Sequence, residues 1–445
     1  MGLLFGTDGI RGKANTYPIT CEIALKAGQA VGIFTKGIGY NTVIIGKDTR
    51  ISGDMLASSI AAGVASTGIN VLLAGVIPTP GVAFLCTGIK DAGTGIVISA
   101  SHNPYQDNGI KIFNHDGMKL SDEQEDQIED YILNSNNVPQ GEVGKISIIS
   151  DSLKLYSDFL LGKFPFKKLD KKPKIIIDCS NGAASKIGHL VFCSDLFNTR
   201  FISDSPNGKN INDHCGSQHT EDLQALVVKE NADIGFAFDG DADRLIAVDE
   251  KGNKITGDCI LAICAKFAKQ KNRLKNNIVV STIMSNIGLT ESLDRLEIQH
   301  IKSDVGDRKV LEKMKESGAV IGGEDSGHMI FLDDHSTGDG MLSALRLFEI
   351  MIETHQPLSS LASVMTVYPQ VLMNVEVTDS KPDIMLNKSI ADTIKIVEKK
   401  LGDKGRVLIR YSGTQPLLRV MVEGPDQDET NNYCLDICES IRKNI

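Results

Sequence analysis

Ile234-Gly235-Phe236-Ala237-Phe238-Asp239-Gly240-Asp241-Ala242-Asp243-Arg244-Leu245-Ile246-Ala247-Val248 joins two apolar runs through a loop that carries three carboxylates at alternate positions. The runs read as buried strands. The loop reads as a site for a hard divalent cation. Alternate side chains of a near-extended backbone share one side, and Gly240 lets the chain bend between the first two. Left unpaired, three such charges would repel strongly. Two other readings compete. An EF-hand calcium loop would use Asp239, Asp241, Asp243 and Glu250 at its first, third, fifth and twelfth positions. Arg244 stands where its sharp turn needs glycine, and the flanks are strand-like rather than helical. The other is a solvated acidic turn between strands. Magnesium takes a few carboxylates and completes its shell with phosphate oxygens or water, so the three Asp suggest a magnesium site that awaits a phosphate.

Outward from this loop the chain follows α/β grammar. Val43-Ile44-Ile45-Gly46 precedes a helix expected near 53–67, and Val71-Leu72-Leu73 follows. The alternation restarts at Lys174-Ile175-Ile176-Ile177-Asp178 and at Asn277-Ile278-Val279-Val280-Ser281. After about residue 367 the texture changes: a strand at 371–377, a helix near 384–400, strands at 406–410 and 418–423, and a closing helix from about 427. The expected architecture is α/β, with three similar α/β domains built on mixed sheets (1–153, 154–253 and 254–367) and a smaller C-terminal α+β domain (368–445) that acts as a mobile lid.

Composition narrows the function. The 445 residues carry 47 Lys and Arg against 57 Asp and Glu, a net charge of −10, which disfavours a nucleic-acid partner. Nine cysteines without a CxxC pair suit reduced thiols in a cytoplasm. His214, Cys215 and His219 lack the second ligand pair that a zinc site needs. The N-terminus has no basic region before an apolar core and no stretch reaches the length of a membrane span, so a cytoplasmic location with no membrane partner is expected.

Three further loops hold chemistry. Gly95-Ile96-Val97-Ile98-Ser99-Ala100-Ser101-His102-Asn103-Pro104 delivers Ser101 from a strand into a polar turn, and Asp107-Asn108-Gly109-Ile110-Lys111 returns a lysine toward it. Ser101 is either a nucleophile or a turn-capping serine; it lacks a nucleophile elbow and an obvious Ser-His-Asp partnership, which disfavours acyl transfer. Gly322-Gly323-Glu324-Asp325-Ser326-Gly327-His328 groups acidic, hydroxyl and imidazole functions suited to a sugar, or forms a polar turn after the strand Ala319-Val320-Ile321. Arg410-Tyr411-Ser412-Gly413-Thr414-Gln415, with Arg419, combines guanidinium, hydroxyl and exposed-amide donors of the kind that cradle phosphate.

These four loops in this order, with Phe5-Gly6-Thr7-Asp8-Gly9-Ile10-Arg11-Gly12 at the start, resemble the α-D-phosphohexomutase superfamily over essentially the whole chain. Val305-Gly306-Asp307-Arg308 and Arg419-Val420-Met421-Val422-Glu423-Gly424 point within it to the bacterial branch that acts on amino-sugar phosphates. The resemblance implies four domains around a central active-site cleft. It implies interconversion of glucosamine 6-phosphate and glucosamine 1-phosphate through a phosphoserine and a glucosamine 1,6-bisphosphate, serving UDP-N-acetylglucosamine and cell-envelope synthesis. By the same resemblance Mg2+ is held by Asp239, Asp241, Asp243 and the phosphate on Ser101. Arg11, Lys111 and His328 would stabilise charge or move protons; Arg244, Glu324 and Ser326 would support the metal loop and the sugar; Arg410, Ser412, Gly413, Thr414 and Arg419 would bind the distal phosphate. The implied partner is a phosphorylated amino sugar, and the chain itself is a monomer or homodimer. A phosphomannomutase or phosphoglucomutase shares the four loops, and a non-catalytic phosphosugar sensor would have lost the serine or a metal Asp. Three positions depart from the family pattern. Asp325 replaces the usual glutamine, and either favours the substrate ammonium or faces solvent. Tyr411 replaces proline and Gln415 replaces glutamate, changes expected to tune affinity.

Overall fold

The computed structural model describes residues 3–6, 8–135, 139–166, 168–169, 171–192, 196–377, 382–411 and 417–444. Its contacts divide the chain into two compact units, Met1–Met284 with Ile298–Ser363, and Ser285–Glu297 with Val364–Ile445.

The larger unit holds three mixed sheets. In the first, Thr42–Lys47 lies between the parallel neighbours Asn70–Val76 and Ala92–Ile98, and Asp107–Asn114 returns antiparallel beside Ala92–Ile98 to meet Gly9–Lys13. The second pairs Lys174–Asp178 in parallel with Asn198–Ile202 and Ile234–Phe238, and continues through the antiparallel Leu245–Val248 to the short edge strand Lys254–Ile255. The third pairs Ile278–Thr282 in parallel with Gln299–Ser303 and Ile321–Gly323, and closes with the antiparallel Met329–Phe331. Each sheet therefore contains a parallel strand followed by an antiparallel return, and the connection between the two is one of the loops singled out by sequence. Continuous runs such as Ile175-Ile176-Ile177 and Ile234 to Phe238 are wholly buried, as central strands covered on both faces must be.

The expected strand Ala319-Val320-Ile321 begins later, at Ile321. Gly318, at φ 70°, closes the helix Asp307–Ser317, and the Ala319 N–H still bonds to the Met314 carbonyl at 2.9 Å. The capping geometry consumes the two residues that β propensity assigned to the strand. The expected helix 53–67 is Gly53–Ser66.

The smaller unit is a three-stranded antiparallel sheet, Gln370–Glu376, Leu417–Glu423 and Arg406–Tyr411 in that order, with the helices Lys388–Leu401 and Gln427–Asn444. It also claims the helix Ile287–Arg295, which falls in the range expected for the third α/β domain. The Ile287 N–H donates to Glu423 Oε1 at 3.0 Å and Ser292 Oγ to the Val364 carbonyl at 2.8 Å. Among the described residues no helix is long and apolar enough to cross a membrane.

The segment that carries Asp8 and Arg11 is anchored by one carboxylate. Glu129 lies on the helix Asp122–Asn134, which opens with a Ser121/Gln124 capping box, and its oxygens accept from the N–H groups of Leu3, Leu4 and Phe5 at 2.6, 2.8 and 2.9 Å. Burial pushes the Glu129 pKa up, but the three N–H donors outweigh it and hold the carboxyl below its ordinary value. A lowered folded-state pKa contributes stability above the unfolded value near 4.3, which is lost as pH falls through the folded value. Glu129→Gln, which offers one acceptor oxygen in place of two, is expected to lower stability by about 2 kcal/mol near neutral pH. Urea unfolding of both proteins checks this, and the gap between them should close below about pH 4.

Candidate active site

Ser101 leaves the strand Ala92–Ile98 with its backbone in the left-handed region, φ 53°, and is buried. A non-glycine residue adopts this only under constraint. Its N–H donates to Ser99 Oγ at 2.9 Å, and its own Oγ donates to Asp239 Oδ2 at 2.5 Å. The serine loop and the metal loop thus meet directly. Gly240 makes the meeting possible: a Cβ there would lie 2.6 Å from the Ser101 carbonyl oxygen. Close approach to Ser101, rather than freedom to bend, is what the glycine supplies.

Nor is the metal loop near-extended. Asp239 to Asp243 form a turn, with Ala242 at φ 56° and its N–H bonded to the Asp239 carbonyl at 3.1 Å. The turn brings one oxygen of each Asp within 4.8 Å of the others, and among the described residues this is the group of His, Cys, Asp or Glu ligands close enough to hold a cation. Two observations test the fit. The donor set is all oxygen, as magnesium and calcium prefer. Asp241 Oδ1 and Asp243 Oδ1 are buried without a hydrogen-bond partner, which is costly unless a cation joins them. Asp239 is pushed well above the usual carboxylate range by burial and by Asp243 and Asp241, the behaviour of like charges crowded out of water. The EF-hand reading fails here, because Glu250 accepts from the Ser359 N–H at 3.2 Å.

Basic groups reach the triad along the neighbouring strands. In register Arg11 faces Gly109, so Arg11 and Lys111 occupy diagonal positions on one face of the sheet. Lys111 Nζ lies 2.8 Å from Asp241 Oδ2, 3.4 Å from Asp243 Oδ2 and 3.3 Å from Asp8 Oδ2. Burial alone would lower its pKa, but these carboxylates outweigh burial and raise it well above the ordinary value. Arg11 pairs with Asp8. His328 Nδ1 lies 3.6 Å from Asp243 Oδ2, and its Nε2 lies 3.6 Å from Asp307 Oδ2.

The sugar loop joins the metal loop through the backbone. Arg244 and His328 form an antiparallel bridge, and the Leu245 N–H donates to the Gly327 carbonyl at 3.0 Å. Arg244 Nε lies 3.7 Å from Asp243 Oδ1. Glu324 accepts from the Gly306 N–H at 3.1 Å and from Ser326 Oγ at 3.4 Å. Asp325 takes a role that sequence did not anticipate: its Oδ1 accepts from the Asp258 N–H at 3.3 Å, at the start of the helix Gly257–Gln270. A carboxylate is favoured at a helix N-terminus.

In the smaller unit, Arg410 and Arg419 lie directly opposite one another on paired strands. Like charges so placed destabilise a sheet. Burial and Arg419 lower the Arg410 pKa, and the Nε atoms of both arginines are buried without a hydrogen-bond partner among the described residues. An anion between them would relieve both faults. Ser412, Gly413 and Thr414, with Gln415, lie outside the described residues.

Sequence reading missed several residues around Ser101. Lys119 pairs with both Asp8 and Asp307, and Thr79 Oγ1 donates to Asp241 Oδ2 at 2.6 Å. His102 Nδ1 stands 3.3 Å from Ser101 Oγ, with burial, Arg244 and Arg11 bringing its pKa down to about 4. Asp48 and Arg50 are buried side by side. One available signal was position: Asp48-Thr49-Arg50 follows the C-terminal end of the parallel strand Thr42–Lys47, where α/β sheets gather their ligands.

Comparison with known proteins accords with this geometry. Models of the phosphoglucomutase/phosphomannomutase family match in four consecutive parts: alpha/beta/alpha domain I over residues 2–138, domain II over 154–252, domain III over 256–368 and the C-terminal domain over 372–440. A phosphoglucosamine mutase of Desulforapulum autotrophicum is 57% identical over 461 residues, covering 100% of this chain and 99% of that protein. A phosphoglucomutase/phosphomannomutase family protein from Burkholderia thailandensis shares the fold, with a TM-score of 0.83 at 23% identity over 99% of this chain and 97% of that one. So does the N-acetylphosphoglucosamine mutase of Aspergillus fumigatus, solved with GlcNAc-6P and magnesium, with a TM-score of 0.69 at 15% identity over 99% of this chain and 96% of that one. The chain belongs to the phosphoglucomutase/phosphomannomutase family, and within it to the phosphoglucosamine mutases.

Proposed function

We propose that this chain interconverts glucosamine 6-phosphate and glucosamine 1-phosphate, with Ser101 as the phosphoryl carrier and glucosamine 1,6-bisphosphate as the intermediate. The observation that carries the reading is the 2.5 Å contact between Ser101 Oγ and Asp239 in a buried triad of carboxylates. A hydroxyl oxygen beside three carboxylates that could hold a cation supports a phosphoryl carrier at Ser101.

In the first half-reaction the bond between phosphorus and Ser101 Oγ breaks as one forms to the free hydroxyl oxygen of the sugar phosphate, and the hydroxyl proton is taken up by a side chain. In the second, the other phosphate of the bisphosphate returns to Ser101 Oγ and the proton goes back to the sugar oxygen. Atoms and charge balance over the cycle. Asp239, Asp241 and Asp243 would hold Mg2+ together with an oxygen of the Ser101 phosphate, and the ion would supply charge neutralisation on the phosphoryl oxygens. Arg11 and Lys111 are fixed cations on one sheet face and take the role of holding the transferring group. His328, between Asp243 and Asp307, takes the proton-transfer role, since imidazole is the side chain that changes charge near neutral pH. Glu324 and Ser326 hold sugar hydroxyls and Arg244 braces the metal loop. Arg410, Ser412, Gly413, Thr414 and Arg419 clamp the distal phosphate in the domain 368–445. The phosphorylated amino sugar is the partner. A cytoplasmic location accords with the eight described cysteines, all free.

Turnover on the phosphates of glucosamine, mannose and glucose, measured side by side, tests the substrate: glucosamine phosphate should lead, and a clear preference for mannose 1-phosphate would overturn the assignment. Intact mass should show one added phosphate mapping to Ser101, and Ser101→Ala should lose turnover by at least about a thousandfold while keeping the thermal midpoint of the parent. Chelation should abolish turnover, and Mg2+ added back should raise the thermal midpoint in a concentration-dependent way; an unchanged midpoint would count against the triad as its site. Arg419→Ala should raise the KM for sugar phosphate by about ten- to a hundredfold. Because it removes one of two opposed charges, it should leave thermal stability unchanged or higher.

A further inference from the structure

Two side chains from different sheets of the larger unit converge on the backbone of the serine loop. Arg50, fully buried, follows the strand Thr42–Lys47 of the first sheet; Asn212 lies in the loop after Asn198–Ile202 of the second. Arg50 Nη2 donates to the carbonyls of Ser101 at 2.9 Å and Asn103 at 2.8 Å. Asn212 Nδ2 donates to the same two, at 2.9 and 3.0 Å. A carbonyl oxygen has two lone pairs, and here each receives one donor from each side chain. Arg50 Nη1 reaches further round the loop, to the Asp107 carbonyl at 3.0 Å and to that of Pro104. The guanidinium is itself held: Asp48 accepts from Arg50 Nε at 2.8 Å and from the Arg50 N–H at 2.9 Å. Asp48 also accepts from Ser99 Oγ at 2.7 Å, and Ser99 Oγ receives the Ser101 N–H. Both backbone groups of Ser101 are therefore tied while its side chain is left for chemistry. Phosphorylation of Oγ would remove the hydroxyl proton that now bonds Asp239, and with it the loop's side-chain tether; the backbone tethers do not change.

We infer that Arg50 and Asn212 are positioning residues for the mutase reaction, clamping the carbonyls of Ser101 and Asn103 so that the serine oxygen keeps one place whether or not it carries phosphate. The inference rests on the mutase reading above. Asn212 belongs to the second sheet's unit, so the clamp also couples the seating of that unit to the aim of Ser101.

Asn212 is the position to test, because its backbone is left-handed, φ 58°. Aspartate and glycine both accept that conformation, whereas alanine would strain it. Asn212→Gly deletes both donors, and Asn212→Asp sets a carboxylate against two carbonyl oxygens. In full-length protein shown by intact mass to carry its phosphate, kcat should fall by about ten- to a hundredfold in Asn212→Gly and further in Asn212→Asp, with KM for glucosamine 6-phosphate within about threefold of the parent. Thermal midpoints should stay within about 4 °C. Arg50→Lys keeps a cation for Asp48 but has no fork to span four carbonyls, and should show the same kcat-selective loss; if it fails to fold, the Asn212 pair decides alone. Unchanged kcat in both Asn212 variants would overturn the inference. So would a raised KM with kcat intact, which would make Asn212 a substrate contact, or a loss of kcat matched by loss of folded protein. A parent chain with no phosphate on Ser101 and no turnover of glucosamine phosphate would overturn the mutase reading and the inference together.

Discussion

Three carboxylates confined to one buried turn set the terms for the rest of this structure. With oxygens within 4.8 Å of one another, each pair of unit charges would repel by at least about 3.5 kcal/mol at an effective dielectric near 20. Burial strips away the water that would soften this. Lys111 and Arg244 supply opposing charge, with the His328 imidazole beside Asp243, and the three come from two other hairpins and from the exit of the turn itself. The electrostatic demand of the turn is met only when the hairpins of three sheets are brought together.

The common plan of the sheets makes that convergence economical. In each α/β sheet a parallel strand is followed by an antiparallel return, and the turn between them carries the chemistry: Ser101 after Ala92–Ile98, the Asp triad after Ile234–Phe238, Glu324 to His328 after Ile321–Gly323. The smaller unit repeats the device, with Arg410 and Arg419 at the facing ends of one hairpin. A hairpin turn is a good platform because its two strands fix its position, while its backbone N–H and C=O groups stay available for contacts between turns. The bridge from Arg244 to His328, and the approach of Gly240 to the Ser101 carbonyl, use that availability.

The smaller unit poses the opposite electrostatic problem. Two arginines face each other across paired strands, with Nε atoms that have no hydrogen-bond partner among the described residues, so this unit concentrates positive charge whereas the turn of the larger unit concentrates negative charge. Asp325 shows how a local departure from family pattern is absorbed. Its carboxylate turns to the N-terminus of the helix Gly257–Gln270, where the peptide dipoles favour negative charge, rather than standing free beside the sugar loop.

Much of this was legible in the sequence because it depends on local chemistry. Alternation of buried runs with helical segments marks the sheets, since side-chain period and burial are properties of a short stretch. The carboxylates at 239, 241 and 243, Ser101 after its strand and the arginines at 410 and 419 are legible as candidates because a cation, a phosphoryl carrier and a phosphate clamp would each require a particular functional group. Three things were not legible: the charge state of Lys111, which is set by Asp241, Asp8 and Asp243; the pairing of Lys119 with Asp8 and Asp307; and the clamp of Arg50 and Asn212 on the serine loop. Gly240 belongs with them, being read as a hinge and found as a point of contact. Sequence by itself determined which groups this protein has for its chemistry. Tertiary structure alone decided which of them touch and with what charge, because pKa, burial and hydrogen bonding depend on distances between residues far apart along the chain.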